Sequence, residues 1–445
     1  MSYIDEYRAK LVSPEEAVKI VKSGDWVDWG FGHSKPVALD KALSLRKEEL
    51  RDINLRHVLS LSPEACIEAD PHGEVFALNA WYFSGYDRKL HDSGRAYHQP
   101  MVFSNQGLYY QKSIKDLVDV AMFRVTTMNK DGFFNLHCAC SSLRSIMEAA
   151  KQVVVEVNER LPWAMGGAEE CIHISEVDYV VEAESRVEEI PVVPPTDIDT
   201  LIAGHIVPLI PDGACIQLGI GGLPNIVGTM LAESDIKDLG CHSEMLADAF
   251  YHLHEAGKLT NRRKGVDRGK STFTFAAGSQ FLYDWMDHNP SCITYPAGYT
   301  NNPRLIAQNP RSVSINACLE VDLFGQVSSE SAGIRQISGT GGQLDFATGA
   351  YLSEGGSSYI CCNSSYTDRD GNLKSRIVPT LVPGSIVTVP RSLTHCVVTE
   401  HGIADLAGRS TWQRAEALIN IAHPELRDQL VEEAQKMNIW RRSNR

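Results

Sequence analysis

Apolar and polar residues follow two periods along this chain, and their succession predicts a strand–helix plan that recurs. Short apolar or β-branched runs bounded by polar turns read as buried strands at 26–29, 58–61, 122–127, 153–157 and 178–182. Apolar positions at helical spacing predict helices over 6–22, 36–45, 115–120 and 142–151. Further strands are expected at 214–218, 272–275, 314–322, 358–363, 377–380, 385–389 and 396–399, and helices over 225–231, 411–421 and 424–437. Such alternation implies an α/β fold, with mostly parallel sheets covered by helices on both faces.

The plan repeats. Gly24 and Gly30 match Gly213 and Gly219 in spacing, Gly32 matches Gly221, and a proline and a helical pattern follow in both places. The offset is 189 residues, the size of a domain. Between the copies, the segment 187–199 carries Pro191, Pro194 and Pro195 and reads as a linker. Two similar open α/β domains are therefore expected, 1–190 and 191–445.

Candidate chemistry concentrates in 213–248. A buried strand there runs into a glycine turn, Gly219-Ile220-Gly221-Gly222, with Pro224 in the first turn of a helix. Such a turn offers backbone N–H groups to an anion or an oxyanion. It lacks the full GxGxxG spacing, so a dinucleotide site is not supported. About twenty residues on, period-two alternation puts His242, Glu244 and Leu246 on one face of an extended segment. A carboxylate among apolar neighbours near an N–H-rich turn is a candidate nucleophile or base, although an isolated strand-end carboxylate is more often simply solvated. A second glycine turn spans 338–342, and Lys374 and Arg376 flank an extended run. The basic run 261–270 suits a solvated loop better than a phosphate site.

Composition narrows the function classes. With 445 residues, 43% hydrophobic and 22% charged, the chain is of ordinary globular composition. A net charge of −14 argues against nucleic acid and anionic membranes as partners. No apolar run reaches the length of a signal peptide core or a membrane span, which predicts a cytoplasmic protein. Eleven cysteines, an odd number with several inside apolar runs, point to a reducing compartment. His137-Cys138-Ala139-Cys140 lacks a second metal-ligand pair, so no metal site is expected there.

Six segments in order resemble the acetyl-CoA hydrolase/CoA-transferase family, in particular its butyryl-CoA:acetate and 4-hydroxybutyrate CoA-transferases. They are GFGHSKP at 30–36, ISEVDYVVE at 174–182, QLGIGGLPN at 217–225, HSEML at 242–246, GTGGQLDF at 339–346 and TEHGIADLAGR at 399–409. The resemblance implies a pair of similar α/β domains with the active site between them. It implies that Glu244 is the catalytic glutamate, with Glu400 a second glutamate near the reaction centre. By the same resemblance Gly219, Ile220, Gly221, Gly222 and Leu223 bind acyl-CoA and help form an oxyanion site, while Gly341, Gly342 and Lys374 lie near the CoA moiety. The implied reaction moves CoA between butyryl-CoA and acetate through a glutamyl-CoA thioester, with coenzyme A as substrate, no bound cofactor and no metal. The implied partners are acyl-CoA and short-chain carboxylic acids, and the implied assembly is a homo-oligomer. Alternatives are a 4-hydroxybutyrate CoA-transferase, an acetyl-CoA hydrolase on the same fold, and a non-catalytic regulator binding CoA or a sugar phosphate. Trp81, Tyr82, Phe83, Tyr109 and Tyr110 are candidates for an acyl-pocket wall.

Overall fold

The computed structural model describes residues 2–443. By its internal contacts the chain forms two compact units, one of residues 1–190 with 272–300 and one of residues 191–271 with 301–445. The sequence-based division into 1–190 and 191–445 differs from this in one stretch, 272–300, which packs with the first unit. The reason is visible in its side chains. Phe275 lies against Phe31 with ring centroids 4.0 Å apart, and the Tyr283 hydroxyl reaches the Glu188 carbonyl at 2.8 Å.

The first unit is built on a seven-stranded, all-parallel sheet of β1 (Trp26–Asp28), β2 (Ile53–His57), β3 (Phe76–Ala80), β4 (Ala96–His98), β5 (Val120–Val125), β6 (Gln152–Val157) and β7 (Tyr179–Glu182). Its spatial order is β4-β3-β2-β1-β5-β6-β7. The second unit holds a six-stranded sheet of β8 (Cys215–Gln217), β9 (Gly240–Cys241), β10 (Ser312–Ala317), β11 (Ser357–Cys361), β12 (Cys396–Thr399) and β13 (Gly402–Asp405). Its order is β9-β8-β10-β11-β12-β13, parallel except for the last pair. In the first sheet the chain starts at the central strand and in the second at the strand next to one edge; each then builds one side and returns to add the other. The strand order therefore reverses between β1 and β5, and again between β8 and β10. Open α/β sheets bind ligands outside the carboxyl ends of the strands at such a reversal.

The repeat read from the sequence is exact at these central strands, since β1 and β8 are separated by the same 189 residues. The preceding 3-10 turns, Val18–Ile20 and Val207–Leu209, keep that offset too. After the proline linker, helix Asp197–Ile206 starts at a Thr196 cap that accepts the Asp199 N–H while the Asp199 carboxylate accepts the Thr196 N–H. Among the described residues no helix is long and apolar enough to cross a membrane.

Several expected elements move. The run 58–61 is a loop, and the strand is β2 just before it. Arg56 in this strand is buried, 2.9 Å from Asp28 and over the Trp26 ring at 4.4 Å, so a charged residue stands inside the sheet. The expected helix 115–120 is a turn leading into β5, and 385–389 is extended without strand pairing beyond a bridge at Val389. The run 314–322 divides into β10 and a short strand, Glu320–Asp322, of another sheet.

Candidate functional site

The site is assembled in the second unit, beyond the carboxyl ends of its parallel strands. β8 ends at Gln217, and the chain turns through Leu218 to Gly221 into helix Gly222–Glu233. Gly221 caps that helix at φ 111°, a left-handed value that side chains oppose, and no side chain satisfies the helix end. Among the described residues the N–H groups from Gly219 to Leu223 donate to no protein acceptor. An open row of donors is what an oxyanion or phosphate requires.

The matching loop of the first unit is filled. Ser34 Oγ accepts the Phe31 N–H at 2.7 Å, and residues 29–36 are buried throughout. At the start of its following helix, the Glu156 carboxylate accepts the N–H groups of Val37, Ala38 and Leu39 at 2.9, 2.8 and 3.0 Å. An internal carboxylate thus satisfies the first turn of the helix that follows this loop.

Glu244 stands next to the open loop. β9 ends at Cys241, the chain bends at Glu244, and a second short strand, Met245–Leu246, follows. The continuous alternating strand expected through 241–246 is therefore interrupted at Ser243 and Glu244. Ser243 Oγ donates to the Leu218 carbonyl at 3.1 Å, which ties the bend to the residue before Gly219. Glu244 is half-buried, and Asn301 Nδ2 donates to its Oε2 at 2.6 Å. Asn301 is fully buried, and its Oδ1 has no hydrogen-bond partner. Burial pushes the Glu244 carboxyl up to about 8; the Asn301 hydrogen bond opposes this, and the nearby Asp345 charge adds to it.

The second glycine turn closes on the same carboxylate. Gly342 caps helix Gln343–Leu352, and a Cβ there would lie 1.9 Å from Glu244 Oε2 and 2.4 Å from Asn301 Nδ2. Only glycine lets the backbone come this near. The buried Glu330 holds the turn, since its backbone carbonyl accepts the Ile337 and Ser338 N–H groups and its carboxylate accepts the Thr340 hydroxyl at 3.2 Å.

Glu400 lies in the two-residue turn between β12 and β13. Its carboxylate accepts the Ser364 N–H at 2.9 Å and the Ser364 hydroxyl at 2.6 Å, just beyond the end of β11. His205 holds the Glu400 backbone carbonyl at 3.2 Å. Lys374 is on an exposed hairpin of strands Ser365–Thr367 and Leu373–Ser375, 3.8 Å from Asp368. The structure thus sets Gly342 directly against Glu244, ties the residue before Gly219 to the neighbour of Glu244 through Ser243, sets Glu400 on the same strand-end edge, and leaves Lys374 on a separate hairpin.

Other candidates have structural duties. Arg262 and Arg263 pair with Asp238 at 3.0 Å, and the buried Lys264 donates to the Cys241 and Lys270 carbonyls. Trp81, Phe83 and Tyr110 are buried in the first unit, where the Tyr110 hydroxyl donates to Asp28 at 2.8 Å. His137, Cys138 and Cys140 are buried as well, with the His137 ring against the Arg124 carbonyl. Sequence reasoning missed Asn301 and Ser364. Asn301 sits in GYTNNP, 57 positions from its partner, and no local pattern marks such a pairing.

Comparison with known proteins agrees with this architecture. Residues 1–194 match the acetyl-CoA hydrolase/transferase N-terminal domain, and residues 278–434 match the acetyl-CoA hydrolase/transferase C-terminal domain. The chain is 49% identical to a butyryl-CoA:acetate CoA-transferase of Anaerostipes caccae, over all of both chains. It is 38% identical to a 4-hydroxybutyrate coenzyme A transferase of Clostridium kluyveri, over 98% of this chain and 100% of that one. Its fold superposes on RipA from Yersinia pestis with a TM-score of 0.89, at 36% identity, covering 99% of this chain and 100% of that one. Matched along its whole length by sequence and by fold, the chain belongs to the acetyl-CoA hydrolase/transferase family, on its CoA-transferase side.

Proposed function

We propose that the protein transfers CoA between butyryl-CoA and acetate, with Glu244 as the covalent carrier. The observation that carries the reading is the Glu244 carboxylate itself. It has a single hydrogen-bonding partner among the described residues, Asn301, it lies against the Gly342 turn, and its neighbour Ser243 is bonded to the residue before the open N–H loop. The near full-length relative named for this reaction supports the choice of acids.

In this reading Glu244 attacks the thioester carbonyl, giving a mixed acyl–glutamyl anhydride and CoA thiolate. The thiolate attacks the glutamyl carbonyl, butyrate leaves, and CoA remains on Glu244 as a thioester. Acetate then attacks that thioester, and the released thiolate takes the acetyl group, which restores the carboxylate. This is covalent catalysis with ping-pong kinetics. Each addition places negative charge on a former carbonyl oxygen. In this reading N–H donors from Gly219 to Leu223, and Asn301 Nδ2 when it releases Glu244, receive it, and such donors are worth roughly 3–4 kcal/mol each. Gly341 and Gly342 leave room for the pantetheine, Lys374 supplies positive charge for the nucleotide phosphates, and Glu400, clamped by Ser364, orders the strand ends around the acids. Remote contacts to CoA would then drive the reacting groups together. Coenzyme A enters as substrate, and the chemistry asks for no metal or bound redox cofactor. We place the enzyme in the cytoplasm, from the apolar pattern of the sequence, and as a homo-oligomer, as the family resemblance implies.

Intact-mass spectrometry after mixing with butyryl-CoA and no acceptor tests the proposal. A CoA adduct on the Glu244 peptide, discharged by acetate to acetyl-CoA, is the expected result. Free CoA formed without any acceptor would make the protein a hydrolase, and neither adduct nor turnover would remove Glu244 from the chemistry.

A further inference from the structure

Two cysteines lie side by side at the same strand-end edge, and nothing in the proposed reaction uses them. Ala317 and Cys361 are register partners at the ends of β10 and β11, and the Cys318 N–H donates to the Cys361 carbonyl at 2.9 Å. Cys318 and Cys362 are therefore the next pair along neighbouring parallel strands, with side chains on one face of the sheet. Neighbouring strands run about 4.8 Å apart, which falls within the Cα separation a disulfide spans. The Cys362 thiol beside it, together with burial, holds the Cys318 thiol well above the usual thiol range. Cys318 is half-buried rather than sealed, and Cys362 is 6% exposed. By contrast, Cys361 alternates to the opposite face.

Cys362 is tied closely to the framework of the site. Its N–H donates to the Val398 carbonyl in β12, and two residues later Ser364 clamps Glu400 with two hydrogen bonds. Joining the two sulfurs would pull the end of β11 toward β10 and strain that clamp.

We propose that Cys318 and Cys362 form a thiol–disulfide couple that low-molecular-weight disulfides oxidise, and that its oxidation lowers the activity of the neighbouring site. One thiol of the pair, as thiolate, attacks a sulfur of the small disulfide and expels one thiolate. The other protein thiol, deprotonated in turn, attacks the protein-bound sulfur of the mixed disulfide and expels the second thiolate. Two protein thiols are oxidised and one small disulfide is reduced to two thiols. The effect on activity rests on the transferase reading, whereas formation of the bond does not.

The test incubates the full-length protein with oxidised glutathione, blocks free thiols with N-ethylmaleimide, and maps non-reduced peptides. The expected result is a linked peptide joining Cys318 to the 361–362 segment, reversed by dithiothreitol, kept in Cys361→Ser and lost in Cys362→Ser. Turnover should fall at least fivefold as the link forms and return on reduction, while Cys318→Ser keeps its activity in oxidant. Cys318 recovered free or only as a glutathione mixed disulfide would overturn the couple. A link that forms while turnover stays constant would overturn the regulatory half alone. A link in a protein that shows no transferase activity at all would leave the couple standing and count against the proposed function.

Discussion

At the scale of single residues, the chemistry turns on the proton of Glu244. With its carboxyl raised to about 8, the group is largely protonated at neutral pH in the free protein, and only its ionised form attacks a thioester. Adduct formation under kcat/KM conditions is therefore expected to rise about tenfold per pH unit from 6 to 7 and to flatten above 8, as stopped-flow or quenched mass spectrometry would report. The same shift bears on stability. A carboxyl whose folded value lies above its ordinary value of 4.5 favours folding while protonated, and that contribution is lost as pH rises toward 8. Glu244→Gln should accordingly melt higher than the parent protein at pH 9, with the gap closing by pH 5, while it forms no CoA adduct. Gly342→Ala tests the geometry rather than the charge. Its Cβ would enter the space of Glu244 Oε2, so adduct formation should drop by about a hundredfold or more with the fold retained by circular dichroism.

At the scale of elements, the two glycine loops show how much of the site was legible in the sequence. The strand, the glycine turn and the helix at 214–231 follow from local patterns, and so does the repeat in the first half. Which copy is open does not follow from them. The first is buried, and the helix after it is capped by Glu156, on a strand more than a hundred residues away that tertiary pairing alone brings there. Glu244 was readable as a candidate because a carboxylate among apolar neighbours is uncommon, whereas Asn301 and Ser364 are ordinary polar residues until the fold sets them against a glutamate. The basic run behaves as the solvated loop expected of it. Arg262 and Arg263 are spent on Asp238, so alanine at either position should leave KM for acyl-CoA within about twofold. Gly221→Ala should slow turnover and cost about 1 kcal/mol or more in denaturant unfolding, because φ 111° is closed to a side chain.

At the scale of the whole molecule, the excursion 272–300 decides how the chain is partitioned. Phe275 covers Phe31 and faces Phe103 in the first unit, so Phe275→Ala should cost about 3–5 kcal/mol of stability, measured by urea unfolding. By itself the sequence determined the α/β class, the repeat at an offset of 189 residues, the proline linker and the glutamate to watch. All of these rest on patterns each readable within a short stretch of chain, where periodicity and backbone chemistry leave a local trace. The tertiary structure alone decided the return of 272–300 to the first unit, the filled loop beside the open one, and the partners of Glu244 and Glu400. Those depend on contacts across tens to hundreds of residues, and burial and geometry at such distances leave no periodic mark in the sequence.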